Sequence, residues 1–107
     1  MAIFSETAQE FLDTLNTLAV TLPYKGVAST KQVIMVNKAL DRHFPDRYVR
    51  IRFLNKCFRD KPGYTQLQSS KELTKNEASA LISCMYIDGW ERSPYWEDFV
   101  NEFKRMQ

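Results

Sequence analysis

Four hydroxyl side chains, Ser5, Ser29, Thr74 and Ser93, each stand at the head of a segment in which apolar residues recur at steps of three and four. That step places side chains on one face of a 3.6-residue helix, and the hydroxyl accepts a hydrogen bond from a backbone N–H that the first turn leaves unpaired. A chain patterned this way has one economical solution, the packing of helix faces on helix faces. The stripes are Ala8, Phe11, Leu12, Leu15, Leu18 and Ala19; then Val33, Ile34, Val36 and Leu40; then Ala78, Leu81, Ile82 and Met85; and last Trp96, Phe99, Val100 and Phe103. Met35 beside Val36 widens the second stripe, as a helix packed on two neighbours requires.

The starts and stops sharpen the segmentation. Ser29 with Gln32, and Thr74 with Glu77, have the spacing of a capping box, in which cap and third residue satisfy each other's backbone N–H groups. Leu73 and Ala78 flank the second box where a hydrophobic staple closes, and loss of the Thr74 hydroxyl is expected to cost about 1 kcal/mol. Leu22-Pro23 ends the first helix and Pro45 limits the second, because proline disfavours helical geometry in the residue before it. Asp88-Gly89 is the expected stop for the helix that begins at Thr74. In the last helix Pro94 suits the first position, with Glu97 and Asp98 early and Lys104 and Arg105 late, as the helix dipole favours.

Residues 46 to 60, DRYVRIRFLNKCFRD, admit two patterns. Val49, Ile51 and Phe53 alternate with Arg50 and Arg52, as in an edge strand. A helix accounts for more, since Ile51, Leu54 and Phe58 share one face with Cys57 while Arg52, Lys56 and Arg59 share another. A lone strand would also lack a partner. Pro62-Gly63 closes the segment, and Tyr64 to Ser70 reads as a polar connection. The fold expected is all-α, a compact bundle of four to five short helices in a single domain over residues 1–107.

At 44% hydrophobic residues with three glycines, the composition suits a folded domain rather than a disordered chain. The start MAIFSETAQE has no basic segment followed by an apolar one, and apolar runs are as short as Met85-Tyr86-Ile87, so a cytoplasmic protein without membrane contact is expected. Cys57 and Cys84 lack CxxC or CxxH neighbours and read as reduced, buried thiols. His43, the single histidine, stands beside Phe44-Pro45 and reads as a helix-end or surface residue. No nucleophile motif, phosphate-cradling glycine loop or metal-ligand spacing is present, so no enzyme activity, cofactor or metal is expected.

Charge is distributed unevenly. Residues 1–30 carry a net −2, residues 31–61 a net +6 and residues 62–107 a net −2. The basic middle suggests an acidic partner. Lys31, Lys38, Arg42, Arg47, Arg50, Arg52, Lys56, Arg59 and Lys61 fall on two consecutive helices, with those from Arg47 to Lys61 the candidate phosphate contacts and Tyr48 or Tyr64 placed to stack on an unpaired base.

The starts STKQ (Ser29 to Gln32) and SSKELTKNEASALI (Ser69 to Ile82), with a helix between them, resemble a small helical module. That module occurs at the C-terminal ends of phage and bacterial proteins, including some recombination and single-strand annealing proteins. Residues 29 to 87 take part, preceded here by one amphipathic helix and followed by an aromatic one. The resemblance implies a phage or mobile-element protein associated with nucleic acid, and it transfers no catalytic residue.

A competing expectation is a protein-binding inhibitor or adaptor, such as a phage anti-defence protein of the anti-CRISPR kind, acting on a host enzyme that processes nucleic acid. Its sequence support is the aromatic cluster near the C-terminus, where Trp90 and Tyr95 are the candidate protein contacts. A homo-oligomer paired through the first helix is the third possibility. Replacing Arg52, Lys56 and Arg59 together by glutamine is expected to weaken nucleic-acid binding without unfolding the domain.

Overall fold

The computed structural model describes residues 4–86 and 93–106, and these form an all-α bundle. Helix α1 spans Glu6–Thr21, α2 Thr30–Asp41, α3 Arg47–Phe58, α4 Lys75–Met85 and α5 Pro94–Arg105, and a 3-10 turn covers Ser70–Glu72. An antiparallel β bridge joins Val27 and Thr74. The radius of gyration, 12.9 Å, is close to the ~13 Å of a compact chain this long. No described helix is long and apolar enough to cross a membrane.

All four hydroxyl caps accept from first-turn N–H groups: Ser5 from Ala8, Ser29 from Gln32, Thr74 from Glu77 and Ser93 from Tyr95. Residues 47 to 58 are helical, with the Asp46 side chain accepting from the Tyr48 N–H at 2.8 Å. Helix defeats strand here because Phe53, Leu54, Cys57 and Phe58 all become buried on one face. Val49 and Ile51, which carried the alternating pattern, are only half-buried.

Phe53 of α3 lies at the centre of an aromatic core. Its ring centroid is 4.9 Å from Phe44, 5.1 Å from Phe103 and 5.7 Å from both Trp96 and Phe99. Phe4 and Phe11, from the start of the chain, reach Phe99 at 5.0 and 5.2 Å. Such tilted and edge-on pairs contribute roughly 0.5–1.5 kcal/mol each beyond the burial of their area. The α5 stripe of Trp96, Phe99, Val100 and Phe103 is thus core. The α1 stripe is likewise spent within the chain, on α3, α4 and α5.

The first turn of α4 ties the other helices together. The Ala28 N–H donates to the Leu73 carbonyl at 2.8 Å and the Lys75 N–H to the Gly26 carbonyl at 3.0 Å, so the starts of α2 and α4 are joined through the backbone. Gly26 has φ +86°, a left-handed conformation that glycine adopts without steric cost. Asn76 accepts from the Tyr24 N–H at 3.1 Å and donates to the Leu22 carbonyl at 2.7 Å, which fixes the chain as it leaves α1. Glu77 accepts from the Thr74 N–H and from the Arg59 guanidinium, both at 2.8 Å, linking the capping box to the end of α3. The other box is extended in the same way, because Gln32 Nε2 donates to Ser79 Oγ at 2.9 Å.

Three expectations are corrected. Ile34 and Met35 are 49% and 48% exposed, because α2 buries one side only, Val33, Val36, Ala39 and Leu40, against α4 and the 3-10 turn. Helix α4 ends at Met85, since Tyr86 is already extended at φ −124°, ψ 145°; the proposed stop at Asp88-Gly89 lies outside the described residues. The connection from Tyr64 to Ser70 is not purely polar surface, for Leu67 and Ser70 are buried. The Asn55 amide accounts for this by clamping the Leu67 backbone, donating to its carbonyl at 3.0 Å and accepting from its N–H at 2.6 Å.

Removing one partner of a buried ion pair leaves the other charge desolvated. Glu77→Ala is therefore expected to destabilise the protein by about 3 kcal/mol, more than the ~1 kcal/mol of Thr74→Ala. Both are read as a lower urea midpoint at unchanged slope, and a cycle with Arg59→Met should show coupling of roughly 1–3 kcal/mol.

The Glu102 carboxylate accepts from the Ser5 hydroxyl at 2.7 Å and from the Ser5 N–H at 2.9 Å, joining α5 to the head of α1. The hydroxyl bond first, then the backbone bond, hold its carboxyl below the ordinary 4.5. A lowered folded-state value means that this contact contributes stability above the unfolded-state pKa and loses it as pH falls through the folded one. Glu102→Gln is expected to remove that part of the acid destabilisation, measured as thermal midpoint against pH, and Ser5→Ala to raise the Glu102 titration seen by NMR.

Candidate nucleic-acid interface

Lys31, Lys38 and Arg42 are exposed on and just after α2, and the basic residues from Arg47 to Lys61 separate into three environments. Arg59, the residue that caps the C-terminal end of α3, is turned inward onto the buried Glu77 carboxylate. Lys56 points toward α1, pairing with Asp60 at 2.7 Å and lying 5.6 Å from the centroid of the Phe4 ring. With Lys61 it borders a cleft of about 420 Å³ that also carries Asp13 and Asp60. Arg52, Lys56 and Arg59 therefore do not form one open basic stripe. The expectation that all three can be replaced without disturbing the fold fails at Arg59, whose loss leaves Glu77 buried and uncompensated.

The third environment is open. Two depressions meet along the N-terminal half of α3 and share Arg47 and Ile51. The first, about 320 Å³, is lined further by Asn37, Arg50, Ser69, Ser70 and Lys71. The second, about 540 Å³, is lined further by Tyr48, Arg52, Leu67 and Gln68. No Asp or Glu lines either one. The carboxylates that touch lining residues are Asp41 on Arg50 at 3.4 Å, Asp46 on the Tyr48 N–H and Glu72 on the Gln68 N–H.

Each lining side chain has a local reason for its place. Asp46 starts α3 where Pro45 has just ended the preceding segment, so Arg47 and Tyr48 fall in a first turn that projects from the bundle. The clamp of Asn55 on Leu67 holds Leu67 and Gln68 beside α3. The 3-10 turn packs on α2, which brings Ser70 and Lys71 to Asn37. Ser69 caps that turn by accepting from the Lys71 N–H at 3.2 Å.

Arg47, Arg52 and Lys71 are exposed and make no ion pair among the described residues. Arg50 differs, since its side chain is only 17% exposed and its buried Nε finds no acceptor among the described residues. Tyr48 is 79% exposed at the rim of the second depression. Lys71 was missed in the sequence, where it falls outside the basic third. The available signal was its place in the SSK run, and only the packing of the 3-10 turn on α2 carries it to Arg47.

The remaining candidates lie elsewhere. Tyr95, 60% exposed, borders a separate depression of about 430 Å³ with Phe11, Cys84 and Tyr86, which shares no lining residue with the basic surface. Trp90 lies outside the described residues. Burial pushes both thiols up, strongly for Cys57 and less for Cys84, so neither is an activated nucleophile. His43 Nε2 is 3.6 Å from Glu97, and its ring meets Trp96 edge-on at 6.3 Å. No group of His, Cys, Asp and Glu among the described residues is arranged to hold a metal ion. Compared with known proteins, the chain matches no family model, no curated protein and no solved structure.

Proposed function

We propose that the protein is a non-enzymatic nucleic-acid-binding protein that engages the sugar-phosphate backbone through Arg47, Arg50, Arg52 and Lys71. The observation that carries this reading is the pair of adjoining depressions lined by basic, neutral and apolar residues with no carboxylate among them. Phosphate contacts are made chiefly by Arg and Lys, with hydroxyl and amide side chains adding directional bonds, and Ser69, Ser70, Asn37 and Gln68 supply those groups here. The resemblance of the STKQ and SSKELTKNEASALI starts to a module of phage recombination and annealing proteins points the same way.

A second reading has its own supporting observation. The depression beside Tyr95 combines an exposed phenol ring with Phe11 and Tyr86, a composition suited to a protein contact. It would serve a protein-binding inhibitor or adaptor acting on an enzyme that processes nucleic acid. The basic surface is favoured because its charge and its hydrogen-bonding groups converge on one ligand class.

Anisotropy titrations of labelled oligonucleotides over a salt series test the proposal. Binding is expected to fall linearly in log K against log salt, by about 0.7 to 0.9 in slope for each phosphate neutralised. The triple variant Arg47→Gln, Arg52→Gln, Lys71→Gln replaces only exposed residues and should flatten that slope by about 2 while leaving the unfolding midpoint unchanged. Lys56→Gln with Lys61→Gln, in the mixed-charge cleft, should change it little. Wild-type affinity in the folded triple variant would overturn the assignment of this surface, and absence of binding at low salt would shift the function to the Tyr95 side.

A further inference from the structure

The two depressions differ in chemistry, and the difference bears on which form of nucleic acid they take. The first gathers three cationic side chains, Arg47, Arg50 and Lys71, with the hydroxyls of Ser69 and Ser70 and the amide of Asn37. Arg50 is held in place there by Asp41, which contacts its terminal guanidinium nitrogen at 3.4 Å. A group that accepts several hydrogen bonds at once and carries negative charge, such as a phosphate, fits this set. The second depression is floored by Ile51 and the buried Leu67, with the exposed Tyr48 ring on one side and Arg52 and Gln68 at the edge. Arg47, shared with the first depression, brings the guanidiniums here to two, yet the apolar floor beside an aromatic face and the single amide give this half the character of a site for a flat heteroaromatic base, on which guanidinium planes can also stack.

We infer that these adjoining depressions form one two-part subsite for single-stranded nucleic acid, with a phosphate held by Arg47, Arg50 and Lys71 and the neighbouring unpaired base stacked on Tyr48 over Ile51 and Leu67. The inference rests on the reading of this surface as a nucleic-acid interface and adds the strand state and the division of labour. A duplex keeps its base faces stacked on one another, so it offers Tyr48 nothing to cover and uses only the cationic half of the surface. A single strand can splay one base into the second depression while its backbone stays against the first. Sequence preference should be weak, because every base has an aromatic face and the depression presents few directional groups.

Three labelled probes separate the contributions: an oligothymidylate, a strand of the same length whose sugars lack bases, and a duplex. The oligothymidylate is expected to bind on the order of tenfold tighter than the abasic strand, the size of one stacking contact. Tyr48→Ala should abolish that advantage without altering affinity for the abasic strand, and Tyr48→Phe should retain it. Tyr48 is exposed, so neither change threatens the fold. If all three probes bind alike and Tyr48→Ala is silent while Arg47→Gln weakens every one, the base subsite is overturned and the basic-surface reading stands. If none binds at low salt, both fall.

Discussion

The Glu77 carboxylate is almost shut off from solvent, in a position where a charged group is unfavourable unless donors meet it. Two do: the Thr74 N–H, which belongs to its own helix, and the Arg59 guanidinium, which belongs to the end of α3. Without the first the helix start frays, and without the second a buried charge stands unpaired. The geometry of α4 relative to α3 is thereby fixed at one point by hydrogen bonds with strict directions, whereas apolar faces alone would allow sliding. The neighbouring residues extend the effect, as Asn76 fixes the exit from α1, Ser79 meets Gln32 of α2, and the Val27–Thr74 bridge joins two helix starts. The LTKNEAS run is accordingly a structural device, with Thr74, Asn76, Glu77 and Ser79 each engaged inside the fold.

That engagement determines which basic residues remain to meet a partner. Arg59 is drawn into the interior by Glu77, and Lys56 is turned toward α1 and Asp60. On α3 what is left is the first half, where Asp46 starts a helix whose opening turn lies outside the core. The loop held by Asn55 and the 3-10 turn held on α2 build walls beside it and convert a row of arginines into two concave surfaces. A ligand meeting concave walls is gripped from several directions, which a bare cationic helix cannot do.

The helices were legible because their signals are local. A hydroxyl accepting from an N–H three residues on, a proline stopping a turn and a stripe at 3.6-residue spacing depend only on neighbours in the chain, and Ser5, Ser29, Thr74, Ser93 and Pro23 all act as their positions imply. The segment from 46 to 60 stayed open between helix and edge strand, with helical spacing accounting for more of it, and the burial of Phe53, Leu54, Cys57 and Phe58 on one face decides it as helix. Periodicity failed at Ile34 and Met35, which match the apolar pattern yet stay exposed, because how wide a stripe must be depends on how many neighbours a helix has. It failed also at the end of α4, where the backbone turns away at Tyr86 before any glycine is reached.

The candidate site was legible only as composition. Arg47, Arg50, Arg52 and Tyr48 could be named from the charge of the middle third, but spacing on one helix cannot say which cations will find carboxylates from other helices. Lys71 and the Leu67 floor come from a segment that carries no periodic signal, and they reach α3 through the clamp of Asn55 and the packing of the turn on α2. The sequence by itself determined the all-α class, the four hydroxyl-capped starts and the concentration of positive charge, since those follow from interactions within a few residues. The tertiary structure alone decided that Arg59 is a core ion-pair partner while Arg47, Arg52 and Lys71 share an open surface, because the pairing and desolvation of a charge depend on groups distant in the chain.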